Sequence, residues 1–256
     1  PIFWIGLGSN LLIRDGGLKG VVINTNGVIN QCEFKPQDDD SKILVKAQAG
    51  LSCASFSRKD ANEGLIGAEF LSGIPGTMGG ALAMNAGAFG GETWETVIEV
   101  EMISRCGKVI QRSPEEFHVS YRSVKNMNTN NNNNNEWFLS GTFCYRKDPK
   151  HLLESKKRIK ALLSKRAASQ PTRSANAGSV FKNPPNDHAA RLIEACQLKG
   201  TEVGGAKVSE KHANFIVNTG AARAQDVEKL IKLIQDEVAR KFDVKLQTEI
   251  QIVGDN

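Results

Sequence analysis

Long apolar runs are missing from this 256-residue chain, so no membrane-spanning helix is expected, and no charged-then-apolar leader stands at its first residues. Cysteine is sparse and unpaired. Cys32, Cys53, Cys106, Cys144 and Cys196 are odd in number, widely separated and without a close pair at metal-ligand spacing, the pattern of a reducing, cytoplasmic compartment. Histidine is equally thin: His118, His151, His188 and His212 include no two at ligand spacing, so no metal centre is expected. The absence of a Gly-x-Ser-x-Gly elbow and of an evident His-Asp relay argues against a hydrolytic serine. Aromatic side chains make up 6% of the chain, and none interrupts its densest basic run, Lys156-Lys157-Arg158-Ile159-Lys160 with Lys165-Arg166. The net charge of +5 suits an anionic partner, but a basic run without stacking platforms reads as the solvated face of a helix, so nucleic acid is disfavoured.

What the chain does have is glycine, 24 residues concentrated in a few loops, a placement that suggests backbone approaching a ligand. The first loop is Gly6-Leu7-Gly8-Ser9-Asn10-Leu11-Leu12, where bare backbone N–H groups, a hydroxyl and an amide could face pyrophosphate oxygens. It is no Rossmann fingerprint, because the third glycine is missing and no helical pattern begins there; alone it reads equally as a turn between strands. The second loop, Gly73-Ile74-Pro75-Gly76-Thr77-Met78-Gly79-Gly80-Ala81, combines a proline-fixed turn with small residues able to pack against a flat ring, and continues into Asn85-Ala86-Gly87-Ala88-Phe89-Gly90-Gly91. Both loops together favour a flavin dinucleotide.

Composition, 40% hydrophobic and 24% charged, is that of an ordinary globular protein large enough for a substantial core. Short strands are expected over residues 2–7, 20–23 and 43–47, then a helix over 52–62 stopped by Gly64, then strands over 97–104, 108–111 and 136–145. A helix over 151–166 precedes Gln170-Pro171, where proline enforces a break. Val227, Leu230, Ile231, Ile234 and Val238 recur at helical spacing, whereas Val244, Leu246, Thr248, Ile250 and Ile252 alternate like one face of a strand, turning Glu249 away from it. Asn130 to Asn135 cannot bury apolar surface and read as a solvated loop. Strands alternating with sparse helices give an α+β class.

Four further stretches complete the pattern: Pro114-Glu115-Glu116-Phe117 leading to Tyr121-Arg122; Ala177-Gly178-Ser179-Val180-Phe181-Lys182-Asn183-Pro184; Lys207 with Ser209-Glu210-Lys211-His212-Ala213-Asn214; and Thr248-Glu249-Ile250-Gln251-Ile252-Val253-Gly254. Individually, Arg122 reads as a surface ion-pair partner, Ser179 as a turn serine and Glu249 as a solvated carboxylate. In this order and combination, from Gly6 to Gly254, the motifs closely resemble the UDP-N-acetylenolpyruvoylglucosamine reductase family, in its shorter branch without an extra tyrosine loop.

The resemblance implies FAD-binding lobes of the vanillyl-alcohol-oxidase (PCMH) type over 1–149, a connecting helix over 150–168 and a C-terminal α+β substrate-binding domain over 169–256. It also implies non-covalent FAD, since no histidine or cysteine adjoins the loops, with NADPH as co-substrate and UDP-N-acetylglucosamine enolpyruvate as the molecule reduced. Cofactor contacts are expected from Gly6, Gly8, Ser9, Asn10, Leu11, Gly73, Ile74, Pro75, Gly76, Thr77, Gly79, Gly80, Asn85, Gly87 and Ala88. Substrate contacts are expected from Tyr121, Lys182, Asn183, Lys211 and His212. By the same resemblance Ser179 donates a proton to the substrate carbon, while Arg122 and Glu249 stabilise the enolic intermediate. Pro1 to Ile5 read as a strand already in progress without an initiator Met, so a segment completing the FAD lobe is expected upstream. Another flavin oxidoreductase of the superfamily, or a nucleotide-sugar-binding module without turnover, are the alternatives.

Overall fold

The computed structural model of the chain describes residues 1–39, 41–128 and 136–256. The asparagine loop, at 129–135, lies outside the described residues. Two compact units form: one contains Ile2–Leu7 and Val22–Ser164, the other Pro1, Gly8–Val21 and Lys165–Asn256.

The larger unit is built on a six-stranded antiparallel sheet. Its order is Val109–Arg112, Val97–Ser104, Glu136–Lys147, Lys42–Gln48 and Cys32–Pro36, with Leu65–Ile66 joined to the end of Glu136–Lys147. Ile43, Val45 and Ala47 alternate inward from Lys42–Gln48, as their spacing requires. Helix α1 (Cys53–Asn62) starts where Ser52 accepts a hydrogen bond from the Ser55 N–H, and it lays Phe56 against Phe143, ring centroids 5.4 Å apart. Gly64, at φ +72°, carries the chain out of the helix. Helix α2 (Met78–Met84) has no periodic apolar signal in the sequence. It forms because Thr77 caps it and because Met78, Ala81 and Leu82 bury their side chains in this core. Phe117–Ser120 and Ser123–Asn126 make a separate two-stranded hairpin, seated by Phe117 against Trp94 at 4.9 Å.

Helix α3 (Leu152–Ser169) ends just before Gln170-Pro171, and Lys156, Lys157, Arg158 and Lys160 lie on its solvent face around buried Ile159. In the smaller unit, α4 (Ala189–Ala195) and α5 (Ala224–Phe242) pack on a short sheet of Glu202–Val203, Ala206–Val208 and Ile216–Asn218. Leu230, Ile231, Ile234 and Val238 of α5 are buried with Leu192, Ile193, Val180 and Phe181. The expected long strand from Val244 to Ile252 is corrected: only Gln251–Val253 is strand, and Thr248 adds one isolated bridge to Phe181. Leu246 and Ile250 still point inward, but most of the segment has no neighbouring ladder to join, so alternation there records burial without sheet. The pairing that does form is parallel, with Leu11–Ile13, and it explains why Gly8–Val21 belongs to the C-terminal unit whereas sequence reasoning grouped it with residues 1–149. No helix among the described residues is long and apolar enough to cross a membrane.

Candidate active site

In the smaller unit three motifs from distant parts of the sequence meet. The Val180 N–H donates to the Asn214 carbonyl, and the Asn214 side chain brackets Phe181, accepting from its N–H at 2.9 Å and donating to its carbonyl at 2.8 Å. This clamp fixes the stretch that carries Ser179. The Glu249 N–H donates to the Val180 carbonyl at 2.8 Å, so Glu249 runs beside Ser179. From the other side the Asn10 amide donates to the Glu249 carbonyl at 3.2 Å, and the Gln251 N–H returns a bond to the Asn10 carbonyl. Gly178, at φ +82°, has room for a methyl group only 3.7 Å from the Ser9 carbonyl oxygen. Gly8, Ser9, Asn10, Ser179 and Glu249 thus form one cluster, with Leu11 opening the adjoining strand. The Ser179 hydroxyl is half-buried and makes no hydrogen bond among the described residues, which leaves it available to a ligand.

In the larger unit Tyr121 and Arg122 form the two-residue tip of the hairpin, closed by the Ser120–Ser123 pair. Arg122 sits at φ +52°, a left-handed conformation that favours glycine or asparagine and costs a branched-at-Cβ or long side chain on the order of 1 kcal/mol or more. An arginine at so unfavourable a backbone position points to a role for its side chain. Its guanidinium donates to the carbonyls of Gly87 at 2.8 Å and Asn85 at 3.3 Å, and it lies 5.0 Å from the centroid of the exposed Tyr121 ring. A Cβ on Gly87 would come 3.1 Å from that guanidinium, so glycine there leaves the arginine its place.

The glycine loops of the same unit line a cavity of about 220 Å³, walled by Trp4, Gly6, Thr25, Thr77, Gly79 and Gly80 on one side. A Cβ on Gly79 would meet Ala49 at 2.8 Å, and one on Gly6 would strike the Thr77 side chain. Trp4, stacked on Trp137 at 5.7 Å, has a buried indole N–H without an acceptor among the described residues. A close backbone cradle with an unmatched donor in its wall fits a flat, acceptor-rich ligand, and the volume suits part of a dinucleotide. Gly73 has another reason for being glycine: a Cβ there would lie 2.6 Å from the Phe89 ring. Ile74, Pro75 and Gly76 form the turn before α2, tied by a bond from the Cys53 N–H to the Gly76 carbonyl, and Gly87–Ala88 pairs with Gly91–Glu92. A larger open hollow of about 690 Å³ lies at the start of α5, among Asp15, Arg223 and Glu228. Asp15 already accepts from the Ala224 and Gln225 N–H groups there, and none of the motif residues lines it.

Several expected contact residues are engaged within the protein. The Asn183 side chain accepts from the Ala189 N–H at the start of α4. Lys211 donates through Nζ to the Ala167 carbonyl and through its backbone to Ser209 Oγ. His212 is held below the ordinary histidine pKa by burial and by Lys199, and its Nδ1 accepts from the Asn214 N–H, as a neutral ring can. These two residues therefore shape the turn that positions Asn214. Asn214 closes the Ser209–Asn214 motif without a role expected from the sequence; two neighbouring apolar residues, Ala213 and Phe215, are the sequence sign that its amide is buried.

The description "UDP-N-acetylenolpyruvoylglucosamine reductase, C-terminal domain" matches residues 170–253, and "FAD binding domain" matches residues 1–113. Over 255 residues the chain is 50% identical to the UDP-N-acetylenolpyruvoylglucosamine reductase of Alkalilimnicola ehrlichii, covering 100% of this chain and 81% of that protein. The chain belongs to the UDP-N-acetylenolpyruvoylglucosamine reductase family. The reductase of Methylococcus capsulatus is likewise 50% identical over 255 residues, 80% of its length. The crystal structure of the Thermus caldophilus reductase superposes with a TM-score of 0.80 at 31% identity, covering 98% of this chain and 85% of that one. Family membership agrees with the α+β class and makes the chain an FAD oxidoreductase.

Proposed function

We propose that the chain reduces UDP-N-acetylglucosamine enolpyruvate to UDP-N-acetylmuramate at the expense of NADPH, with non-covalent FAD, as a cytoplasmic step of peptidoglycan precursor synthesis. The observation that carries this reading is the convergence of Ser9-Asn10, Ser179 and Glu249 on one another within a chain of this family. When bound, FAD supplies a two-electron carrier that accepts a hydride from a nicotinamide and passes it on. Trp4, Gly6, Thr77, Gly79 and Gly80 would hold it, the glycines by admitting its surface to the backbone and Trp4 by donating its unmatched N–H.

The remaining residues act on the enolpyruvyl group. Arg122 pairs its planar fork with the carboxylate, which draws electron density as the double bond is reduced. Ser179 gives its hydroxyl proton to the carbon next to the carboxylate, while the terminal carbon receives the hydride. Glu249, tied by its backbone to Asn10 and Val180, stands beside Ser179 and polarises the developing enol. Lys182 and Tyr121 contact the nucleotide-sugar portion. Residues 1–149 serve as the FAD-binding region, 150–168 as the connecting helix and 169–256 as the substrate domain.

One absorbance experiment tests the whole reading. The purified protein should be yellow, bleach with NADPH, and recover its colour anaerobically on addition of the enolpyruvyl substrate. A colourless protein would indicate a binding module, and recovery with oxygen alone would indicate an oxidase.

A further inference from the structure

Asn85 is 1% exposed and ends α2 in a left-handed conformation, φ 42° and ψ 55°. Its amide is engaged on both sides: Nδ2 donates to Glu92 Oε2 at 2.8 Å and to the Ser120 carbonyl at 3.4 Å, and Oδ1 accepts from the Trp94 N–H at 3.1 Å. Both amide hydrogens thus have partners within the protein, so the side chain is not built to contact a cofactor. Its backbone carbonyl accepts from Arg122. Asn85 therefore holds the hairpin tip at two points, at Ser120 just before the turn and at the Arg122 guanidinium within it. The second guanidinium acceptor, the Gly87 carbonyl, lies two residues further on.

We propose that Asn85 is a positioning residue for Arg122: its side-chain amide locks the hairpin tip so that the guanidinium fork meets the substrate carboxylate in one orientation. This rests on the function proposed above. A planar, bidentate contact tolerates little displacement, and misplacing a reacting group by about 1 Å can cost about 10²-fold in rate. Tyr121 and the strained backbone of Arg122 cannot fix the orientation alone, because the hairpin is two-stranded and its tip has no neighbouring strand among the described residues.

Asn85→Gly tests the proposal, since glycine accepts φ 42° and removes the amide together with its Cβ. Asn85→Asp keeps the size and the acceptor, and serves as the second variant should the glycine variant fold poorly. In the holoenzyme either change should leave FAD affinity and NADPH-driven bleaching within about threefold of the parent. Oxidation of the reduced enzyme by the enolpyruvyl substrate should slow about tenfold to a hundredfold. Hydrogen exchange of residues 117–126 should quicken, a readout independent of turnover. Combined with Arg122→Lys, Asn85→Gly should add no further loss, because residues acting as one unit are non-additive. Weaker FAD binding with an unchanged substrate step would make Asn85 a cofactor contact and overturn the proposal, as would full additivity with Arg122→Lys. An unmutated holoenzyme that NADPH bleaches but the enolpyruvyl substrate does not recolour would instead overturn the function on which it rests.

Discussion

Single side chains decide the chemistry. Ser179 is proposed to act only on the enolpyruvyl carbon, so Ser179→Ala should separate the two halves of the reaction. Loss of a general acid costs about 10² to 10⁴ in rate, and that loss should fall on the substrate-driven step while NADPH-driven bleaching stays within a few-fold. Stopped-flow absorbance reads both on one sample; equal damage to both would make Ser179 structural. Asp60 illustrates a residue that the sequence could not flag, because only the fold puts it 1% exposed at the end of α1 with one carboxyl oxygen unpartnered. Burial, with Glu69 and Glu63 nearby, pushes its pKa up to about 8. The folded protein thus holds a proton that the unfolded chain releases near pH 4. The resulting stabilisation is fully present below about pH 4 and is lost as pH rises towards 8. Asp60→Asn, uncharged throughout, should flatten the melting temperature between pH 5 and 8 and raise it relative to the parent at pH 8.5. A parallel pH dependence in parent and variant would remove Asp60 as the source.

At the scale of elements, the hairpin that presents Arg122 is fastened at its base as well as its tip. Arg112 makes a bidentate pair with Glu136 at 2.7 and 2.9 Å and reaches Glu116 at 2.7 Å, while Asn126 and Asn128 donate to the same two carboxylates. With the flanks pinned by this network, replacing residues 129–135 with two or three small residues should leave FAD content and turnover nearly unchanged, since loop length alone contributes little. A large fall in bound flavin would show that the tract contributes to the site. The hairpin also shows the limit of sequence reading. Phe117–Ser120 and Ser123–Asn126 are four residues each, too short for alternation to stand out, and their turn uses Arg122 where turn chemistry prefers glycine. Helix α2 was hidden for a different reason, since Gly79 and Gly80 oppose helix by propensity and only the Thr77 cap and burial overrule them. By contrast α1, α5 and the strand Val97–Ser104 were legible, because each carries its own cap or periodicity. The site motifs were legible as chemistry from their family resemblance; their mutual contacts, and the inward use of Asn85, Lys211 and His212, were not.

Over the whole chain, the C-terminal unit depends on a segment from the opposite end of the sequence. Leu11–Ile13 supplies the parallel partner of Gln251–Val253, and Leu12 packs against the cluster that contains Ile250 and Leu246. Arg14 forms a two-point pair with Glu228 of α5, and Asp15 caps the start of that helix through the Ala224 and Gln225 N–H groups. The same two bonds hold the Asp15 carboxyl below its usual pKa, so the cap is present above the ordinary carboxylate range and weakens as pH falls through it. Gly254, at φ +92°, leaves space for the Gly17 carbonyl, which a Cβ would meet at 2.5 Å. A fragment of residues 165–256 therefore lacks the partner strand of Gln251–Val253, a helix cap and part of a core, although it contains the whole of the matched C-terminal domain. Expressed alone, it should melt broadly and at a lower temperature than the corresponding transition of the intact chain. Adding a peptide of residues 8–21 should sharpen and raise that transition in proportion to peptide occupancy. The same peptide with Leu12→Asp should not, because a carboxylate would enter the apolar cluster. Calorimetry of the fragment with each peptide measures the difference; a cooperative melt unaffected by either would mean that the C-terminal residues close their core without the returning segment.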